Sequence, residues 1–234
     1  MANVSTLPEQ SDDWRDHVTW YTYETPVIRL IKAVGRPLVW PFLKIEGIGL
    51  ENIPATGPCI LASNHINDID VISIGYCRMR HPHFMAKSEL YKYPVFAWFI
   101  RQGGSFPVNR GESDAWALRQ AGRVLEAGQM VCMFPEGTRA GAKAQLRRGK
   151  VGAVRLALDY HAPIVPAAIL GTQHVSWKRR TPITLRVGQP LDFRAMAGSP
   201  PYEYHQLREL TTTLMQHIAA MLPPEHRGIY AETV

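Results

Sequence analysis

Short apolar runs alternate with helical patterns along most of this chain, and this alternation restricts the folds available to it. The apolar runs, each of strand length, lie at residues 58–63, 83–87, 104–109, 130–134, 162–170 and 183–188. The helical patterns lie at residues 70–77, 93–102, 113–128, 151–160 and 202–222. Strands that alternate with helices favour a parallel sheet with helices packed against it. We therefore predict an α/β fold in which helices flank a largely parallel or mixed central sheet.

The helix predicted at residues 113–128 has the clearest ends. Ser113 or Asp114 is suited to cap its first turn, and Gly128 is suited to end it. With 234 residues, the chain is long enough for one large domain with a single core. We place that domain at residues 44–234 and treat residues 1–43 as an N-terminal helical segment.

The N-terminal segment has an amphipathic pattern at residues 24–43. Four apolar residues recur on one helical face: Val27, Ile31, Val34 and Leu38. Three basic residues lie on another face: Arg29, Lys32 and Arg36. A basic amphipathic helix, here followed by aromatic residues, is typical of an element that lies on a membrane surface. The alternative is an ordinary helix that packs its apolar face on the core.

The charge and the cysteine content indicate which kinds of partner and which cellular compartment to expect. The formal net charge is +6 at pH 7, which suggests an anionic partner such as a phosphate-bearing substrate, a nucleic acid or a membrane surface. The cysteines Cys59, Cys77 and Cys132 form no CxxC pair, so we expect buried thiols in a reducing compartment. The polar, acidic N-terminus is unlike a secretory signal, and no run approaches the roughly 18 apolar residues of a spanning helix.

A histidine and an aspartate in the stretch NHINDID form the first candidate site. His65 and Asp70 follow the apolar run 58–63. On an uninterrupted helix they would point roughly 140° apart, so they meet only if the chain turns between them. Asn67 and Asp68 are residue types that turn a chain or cap a helix. We predict that the Asp70 carboxylate holds one ring nitrogen of His65 while the other accepts a proton; the alternative is a helix cap beside a loop histidine.

The stretch FPEGTRA at residues 134–140 is the second candidate site. Gly137 and Thr138 supply backbone N–H groups and a hydroxyl, and Arg139 supplies a guanidinium. This combination suits a phosphate group. The alternative is a tight turn with a surface ion pair between Glu136 and Arg139.

Four segments, taken in order, resemble the glycerophospholipid acyltransferase family, and most closely the bacterial 1-acyl-sn-glycerol-3-phosphate (lysophosphatidic acid) acyltransferases. His65 and Asp70 match the family's H-x-x-x-x-D block, and residues 134–139 match its F-P-E-G-T-R block at every position. The segment GGSFPVNRG, which contains Arg110, matches another block, and VPAAILG at 165–171 matches the last. Each block is weak or moderate by itself, whereas the ordered set is specific.

The resemblance implies transfer of a fatty acyl group from a coenzyme A or acyl carrier protein thioester to the free hydroxyl of lysophosphatidic acid, which gives phosphatidic acid. It implies that His65 is the general base and that Asp70 orients it. It also implies that Arg110 and Arg139 bind the phosphate of the acceptor. Further substrate-binding candidates are Glu136, Gly137, Thr138 and Lys87. No metal or other cofactor is expected.

Other functions stay open at this point. The acceptor is alternatively glycerol-3-phosphate or another lysolipid. A thioesterase would use the same His–Asp pair on water, but the chain has no G-x-S-x-G elbow, and no motif marks Ser63 as a nucleophile. No helix-turn-helix or RNP pattern supports nucleic-acid binding, and we expect no such partner. For a lipid acceptor we expect a peripheral enzyme on the cytoplasmic face of the cell membrane, held to an anionic membrane surface.

Overall fold

The computed structural model describes residues 13–77, 79–110, 114–176 and 178–233. Residues 1–12 of the N-terminal segment, and Ser113 as one of the two predicted caps, lie outside the described residues. The strands are β1 (Leu43–Ile48), β2 (Cys59–Ser63), β3 (Pro82–Lys87), β4 (Phe106–Val108), β5 (Met130–Met133), β6 (Ile164–Leu170) and β7 (Thr181–Val187). The α-helices are α1 (Pro26–Val39), α2 (Ile69–Tyr76), α3 (Pro94–Gln102), α4 (Ala115–Glu126), α5 (Gly152–Asp159), α6 (Phe193–Ala197) and α7 (Tyr204–Ala220). Short 3-10 helices lie at Trp14–His17, Leu50–Asn52, Ser88–Lys92, Gly141–Lys143, Thr172–His174, Pro224–His226 and Gly228–Tyr230.

The described strands form one sheet in the order β1-β7-β6-β2-β5-β3-β4. Strands β6, β2, β5, β3 and β4 run parallel to one another. Strand β7 runs antiparallel to β6, and β1 runs parallel to β7. The sheet is therefore mixed, with a parallel majority, and the predicted α/β class is confirmed.

Strand β1 was not predicted from the sequence, and neither was the short helix α6. The sequence of β1, LKIEGI, mixes charged and apolar residues, and most of its side chains are exposed. Among the described strands it lies at the edge of the sheet and pairs with β7 alone. An edge strand covered on few sides does not need the continuous apolar run that marks a central strand.

Two apolar cores lie on opposite faces of the sheet. On β2, Ile60 and Ala62 face a core completed by α4, α5 and α7. Cys59 and Leu61 face the other core, which includes α2 residues. This alternation follows from the two-residue repeat of a strand, and it makes the buried strands apolar on both sides.

Helix α4 has the predicted cap. The side chain of Asp114 accepts a hydrogen bond from the N–H of Ala117 at 3.1 Å, which satisfies one of the free donors of the first turn. Asp114 also forms a 2.6 Å ion pair with Arg15. Because Arg15 is buried and its guanidinium lies over the Trp116 ring of α4, this part of the N-terminal segment packs against α4 and does not stand apart from the predicted domain.

Val27 and Ile31 of the predicted apolar face of α1 are half-buried, whereas the rest of that face is directed away from the core. Val34 and Leu38 are 54% and 66% exposed, and the neighbouring Leu30 is 64% exposed. The helix instead packs through Ile28 and through Gly35, where a Cβ atom would lie 2.0 Å from the hydroxyl oxygen of Tyr76 on α2. The alternative of an ordinary helix with this face on the core is therefore wrong for Val34 and Leu38.

The predicted basic face of α1 is divided. Arg29 and Arg36 are exposed, whereas Lys32 turns toward the protein. Its amine lies 3.1 Å from Glu24 Oε1 and donates to His81 Nδ1 at 2.8 Å. Burial and then the nearby ammonium lower the pKa of His81 to about 3, so the ring is neutral and accepts this bond. The expectation that Lys32 joins Arg29 and Arg36 on one free surface is wrong. No helix in the described parts of the chain is long and apolar enough to cross a bilayer.

All three cysteines are buried free thiols, as predicted. Cys59 and Cys132 lie in adjacent central strands, and Cys77 follows α2. Burial raises the pKa of Cys59 and of Cys77 to about 11, and it raises the pKa of Cys132 as well.

Candidate active site

The turn between β2 and α2 brings His65 and Asp70 together. Strand β2 ends at Ser63, and α2 begins at Ile69. The Asn67 side chain accepts from the N–H of Ile69 at 2.9 Å and so closes the turn. His65 Nδ1 lies 2.7 Å from Asp70 Oδ2. The predicted strand–turn–helix arrangement and the predicted pairing are both confirmed.

Asp70 is surrounded by hydrogen-bond donors. Its Oδ2 accepts from His65 Nδ1–H and from the N–H groups of Ile66 and Asn67. Its Oδ1 accepts from the Thr172 hydroxyl at 2.6 Å. Asp70 has no exposed surface, and this set of donors suits an acceptor-only carboxylate. Because a carboxylate can only accept, the Nδ1–H of His65 donates to Asp70 and the lone pair of the ring lies on Nε2.

The His65 ring is held flat against Phe134. The two rings are 4.0 Å apart between centroids and inclined by 13°. With Nδ1 bonded to Asp70 and one ring face covered, the ring has one orientation available. His65 also lines a cleft of about 480 Å³, and Nε2 is the ring nitrogen that Asp70 leaves free, which is the arrangement that a general base requires.

The cleft lies where parallel strands end. Its wall includes Met85 of β3, Val108 of β4 and Met133 of β5, and the first turns of α4 and α5 complete it. Open α/β sheets bind ligands at this end of the sheet. Helices α4 and α5 both begin beside the cleft, so the positive ends of their dipoles face it.

Glu136 joins two segments beside His65. One carboxylate oxygen accepts from the N–H of His65, and the other accepts from the N–H of Arg147, both at 3.0 Å. Glu136 is buried, and burial raises its pKa to about 7 against the opposing effect of the two N–H donors. The side chain fixes the backbone that carries the histidine, and Glu136 is not among the described residues that line the cleft.

The structure brings only some of the predicted residues into the cleft. Arg110 and Gly137 line it with His65. The N–H of Gly137 donates to Phe134 O at 2.9 Å, so it is not available for a phosphate as predicted. The exposed Thr138 does not line the cleft.

Arg139 and Lys87 also lie outside the set of cleft-lining residues. Arg139 forms a 2.6 Å ion pair with Asp68, and Lys87 forms a 3.2 Å ion pair with Glu89. The alternative for this loop, a surface ion pair between Glu136 and Arg139, is not formed, because Glu136 is buried. Ser63 is buried behind the site and contacts Asn64.

Comparison with known proteins identifies the family. The family model described as Acyltransferase matches residues 44–170, a span that contains His65, Asp70 and the loop around Glu136. The chain belongs to the acyltransferase family.

Individual relatives of this acyltransferase match it over longer or shorter parts of their sequences. The chain is 32% identical over 170 residues to a 1-acyl-sn-glycerol-3-phosphate acyltransferase of Bacillus subtilis (strain 168), and the match covers 72% of this chain and 83% of that protein. It is 31% identical over 137 residues to the chloroplastic 1-acyl-sn-glycerol-3-phosphate acyltransferase BAT2 of Brassica napus, covering 57% of this chain and 39% of that protein. The crystal structure of the 1-acyl-sn-glycerophosphate (LPA) acyltransferase PlsC from Thermotoga maritima has a TM-score of 0.62 at 28% identity, covering 80% of this chain and 76% of that chain.

Three residues of this acyltransferase site escaped sequence analysis. Thr172 holds Asp70 through its hydroxyl, and nothing in its local sequence marks it. Lys150 and Arg155 line the cleft and flank the start of α5. The pattern KVGAVR places two basic residues on either side of a glycine at the start of a helix, and this could have marked Lys150 and Arg155 as candidate site residues.

Proposed function

We propose that this acyltransferase moves a fatty acyl group from a thioester donor, coenzyme A or acyl carrier protein, to the free hydroxyl of lysophosphatidic acid, giving phosphatidic acid. The observation that carries the proposal is the buried His65–Asp70 pair, whose free ring nitrogen belongs to the cleft. The relatives from Bacillus subtilis and Thermotoga maritima are named as acyltransferases of this acceptor, which supports its choice here.

The chemistry follows from the geometry of the pair. His65 Nε2 takes the proton of the acceptor hydroxyl as its oxygen attacks the thioester carbonyl. Asp70 accepts from the Nδ1–H and stabilises the imidazolium that forms. The tetrahedral intermediate then breaks its carbon–sulfur bond, and the imidazolium returns the proton to the departing thiolate. The substrate hydroxyl is the nucleophile, so the enzyme forms no covalent acyl intermediate.

The cleft offers apolar contact for the acyl chain. Met85, Val108, Leu118 and Met133 line it on the side of the strands and α4. Burial of each methylene of a chain contributes about 0.8 kcal/mol. This apolar wall therefore supports a long-chain donor or acceptor over a small polar one.

An acceptor panel tests the proposed function. Purified enzyme is given an acyl-CoA donor with lysophosphatidic acid, glycerol-3-phosphate, another lysophospholipid or no acceptor, and lipid products are identified by mass. We expect phosphatidic acid from the first acceptor at the highest kcat/KM. Thiol release that is equally fast without an acceptor would show a thioesterase instead.

We further propose that the enzyme works as a peripheral protein on the cytoplasmic face of the cell membrane. Two helices carry large exposed apolar side chains, with Leu30 and Leu38 on α1 and Val95, 84% exposed, and Trp98 on α3. Apolar patches of this kind on a monomer mark a surface that contacts another apolar phase. The exposed guanidiniums of α1 add attraction to anionic lipid, each about 1 kcal/mol near a charged surface.

Vesicle co-sedimentation checks this membrane contact. The variant Leu30→Gln/Leu38→Gln should have a partition coefficient for anionic vesicles about thirtyfold below that of the wild type, since it removes two apolar side chains worth about 1 kcal/mol each at the interface. Ile229→Gln is the matched control, because Ile229 is 61% exposed on a 3-10 helix near the C-terminus. Equal pelleting of all three proteins would leave α1 with a purely structural role.

A further inference from the structure

A buried arginine of the N-terminal segment contacts the wall of the candidate cleft. Arg15 lies in the 3-10 helix Trp14–His17. Its Nη1 donates to Asp114 Oδ2 at 2.6 Å, and the side chains of the two residues are only 7% and 5% exposed. Asp114 lines the cleft. This buried ion pair therefore joins the cleft to a residue that lies 99 positions earlier in the chain and outside the family match at residues 44–170.

Asp114 in turn connects two elements of that wall. Its Oδ2 also accepts from the N–H of Asn109, the residue directly after β4, at 2.7 Å. Its Oδ1 accepts from the N–H of Ala117 in the first turn of α4 at 3.1 Å. Val108 of β4 and Leu118 of α4 both line the cleft. One carboxylate thus fixes the spacing between the two elements that carry these apolar side chains.

The guanidinium that holds Asp114 is itself fixed by three other residues. Asp13 Oδ2 accepts from Arg15 Nε at 2.9 Å and from Nη2 at 2.6 Å. The guanidinium carbon lies 4.5 Å from the centroid of the Trp116 ring, a favourable cation–π contact. The indole N–H of Trp20 donates to Arg15 O at 2.7 Å. An arginine with these contacts has one orientation, so it holds Asp114 in one position.

Asp114 depends on this arginine to stay buried and ionised. Burial raises the pKa of Asp114, but the hydrogen bond from Arg15 and those from the two N–H groups outweigh it and hold the pKa below its usual range. A buried charge that loses its partner is strongly unfavourable, so without Arg15 the carboxylate would move toward water or take up a proton. Either change weakens its contacts with the two N–H groups, and the end of β4 and the start of α4 would then be free to move apart.

We propose that Arg15 is a positioning residue of the active site, which through Asp114 sets the spacing of β4 and α4 and thereby determines which acyl-chain lengths the cleft accepts. The inference rests on the proposed function, which it deepens by naming a determinant of the acyl substrate. Arg15 is not among the described residues that line the cleft, so it acts through Asp114 and does not touch the substrate.

Chain length is the property that such a wall controls. Val108 and Leu118 offer apolar contact to a fatty chain, and burial of one methylene changes a binding equilibrium about fourfold. A wall held at a fixed distance keeps this contact along the chain, so kcat/KM rises steeply with chain length until the cleft is filled. A wall whose two elements move independently makes poorer contact, and the dependence on chain length becomes shallower.

Chain-length profiles test the assignment. kcat/KM is measured with lysophosphatidic acid and saturated acyl-CoA donors from octanoyl to myristoyl, and then with one donor and lysophosphatidic acids over the same range. In one of the two series, Arg15→Met should lower the ratio of kcat/KM between the longest and the shortest chain about fifteenfold, which corresponds to lost contact with about two methylenes. The series that responds identifies donor or acceptor as the substrate whose chain contacts the wall.

Arg15→Lys gives a graded result and keeps the buried charge of Asp114 compensated. Its single ammonium group cannot hold Asp13 and Asp114 in the geometry of a guanidinium. We expect the same ratio to fall about fourfold, equivalent to one methylene. This variant therefore decides the question if Arg15→Met does not fold.

Arg80→Met is the matched control for the loss of a partly buried arginine. Arg80 donates to the carbonyls of Pro54, Gly57 and Gly128, and it is not among the described residues that line the cleft. Its replacement should lower the thermal midpoint of unfolding and leave the chain-length ratio at the wild-type value.

The outcomes separate positioning from stability. An equal loss at every chain length in both series would show that Arg15 acts on stability alone and would overturn the inference, as would wild-type profiles in folded Arg15 variants. If the wild type acylates no lysophosphatidic acid, the proposed function fails. Calorimetric titration with non-hydrolysable thioether analogues of the acyl-CoA series then decides the inference. A chain-length dependence of Kd that is shallower in Arg15→Lys than in the wild type upholds it, and an equal or absent dependence refutes it.

Discussion

Replacing His65 with alanine is expected to lower kcat for acyl transfer by about 10²- to 10⁴-fold, the range that a positioned general base contributes. The reason lies in the geometry: His65 supplies the one free ring nitrogen of the His65–Asp70 pair, and the pair is too buried for bulk water to replace it. Single-turnover measurements with acyl-CoA and lysophosphatidic acid check this loss, since they separate chemistry from product release.

Alanine at position 65 also removes a donor to Asp70 and the ring stacked on Phe134, so a second variant is needed. His65→Asn places an amide N–H near the position of Nδ1 and keeps a bond to Asp70 while it removes Nε2. His217→Ala, at an exposed histidine on α7, is the control. A folded His65→Asn enzyme with more than about a tenth of wild-type kcat would exclude His65 as the base, given the usual size of this effect.

The second large effect is expected from Asp70→Asn. An asparagine can direct its oxygen to the three N–H donors and its amide nitrogen to Thr172, whose hydroxyl reverses and accepts. The hydrogen bonds and the fold are then preserved, and the change removes the negative charge alone. Because that charge stabilises the imidazolium, we expect kcat to fall about a hundredfold, the upper range for a charge-assisted bond.

Asp68→Asn is the matched control for this substitution. Asp68 lies two residues earlier at the start of the same helix, but its ion pair with Arg139 is at the surface, so little loss is expected. The double variant His65→Ala/Asp70→Asn should be scarcely slower than His65→Ala, because residues that act as a unit are not additive. Multiplied losses in the double variant would contradict the proposed role of Asp70.

The parts of this structure that could be predicted are those determined by residues close together in the sequence. The central strands are apolar on both sides, so their sequences identify them, whereas edge strand β1 has no such run. His65 and Asp70 lie on either side of one turn, and the residue types between them were sufficient to predict that they meet.

Contacts between distant segments explain the failures. The sequence alone does not show that Arg139 forms an ion pair with Asp68. It also does not show that Lys32 forms an ion pair with Glu24 and a hydrogen bond with His81. Lys150 reaches the cleft because α7 and the residues after it hold its loop. Charged side chains have many equally good partners in a sequence, and the tertiary fold selects among them.

The burial of all three thiols has a practical consequence for measuring this enzyme. Each acyl transfer from coenzyme A releases a thiol, which a chromogenic disulfide reagent converts to colour. Such reagents attack accessible thiolates, and the buried cysteines, with their raised pKa values, should contribute almost no background while the chain is folded. A variant that opens its core would instead react without any substrate present. The same thiol assay, run with and without substrate, therefore distinguishes a folded but inactive variant from an unfolded one.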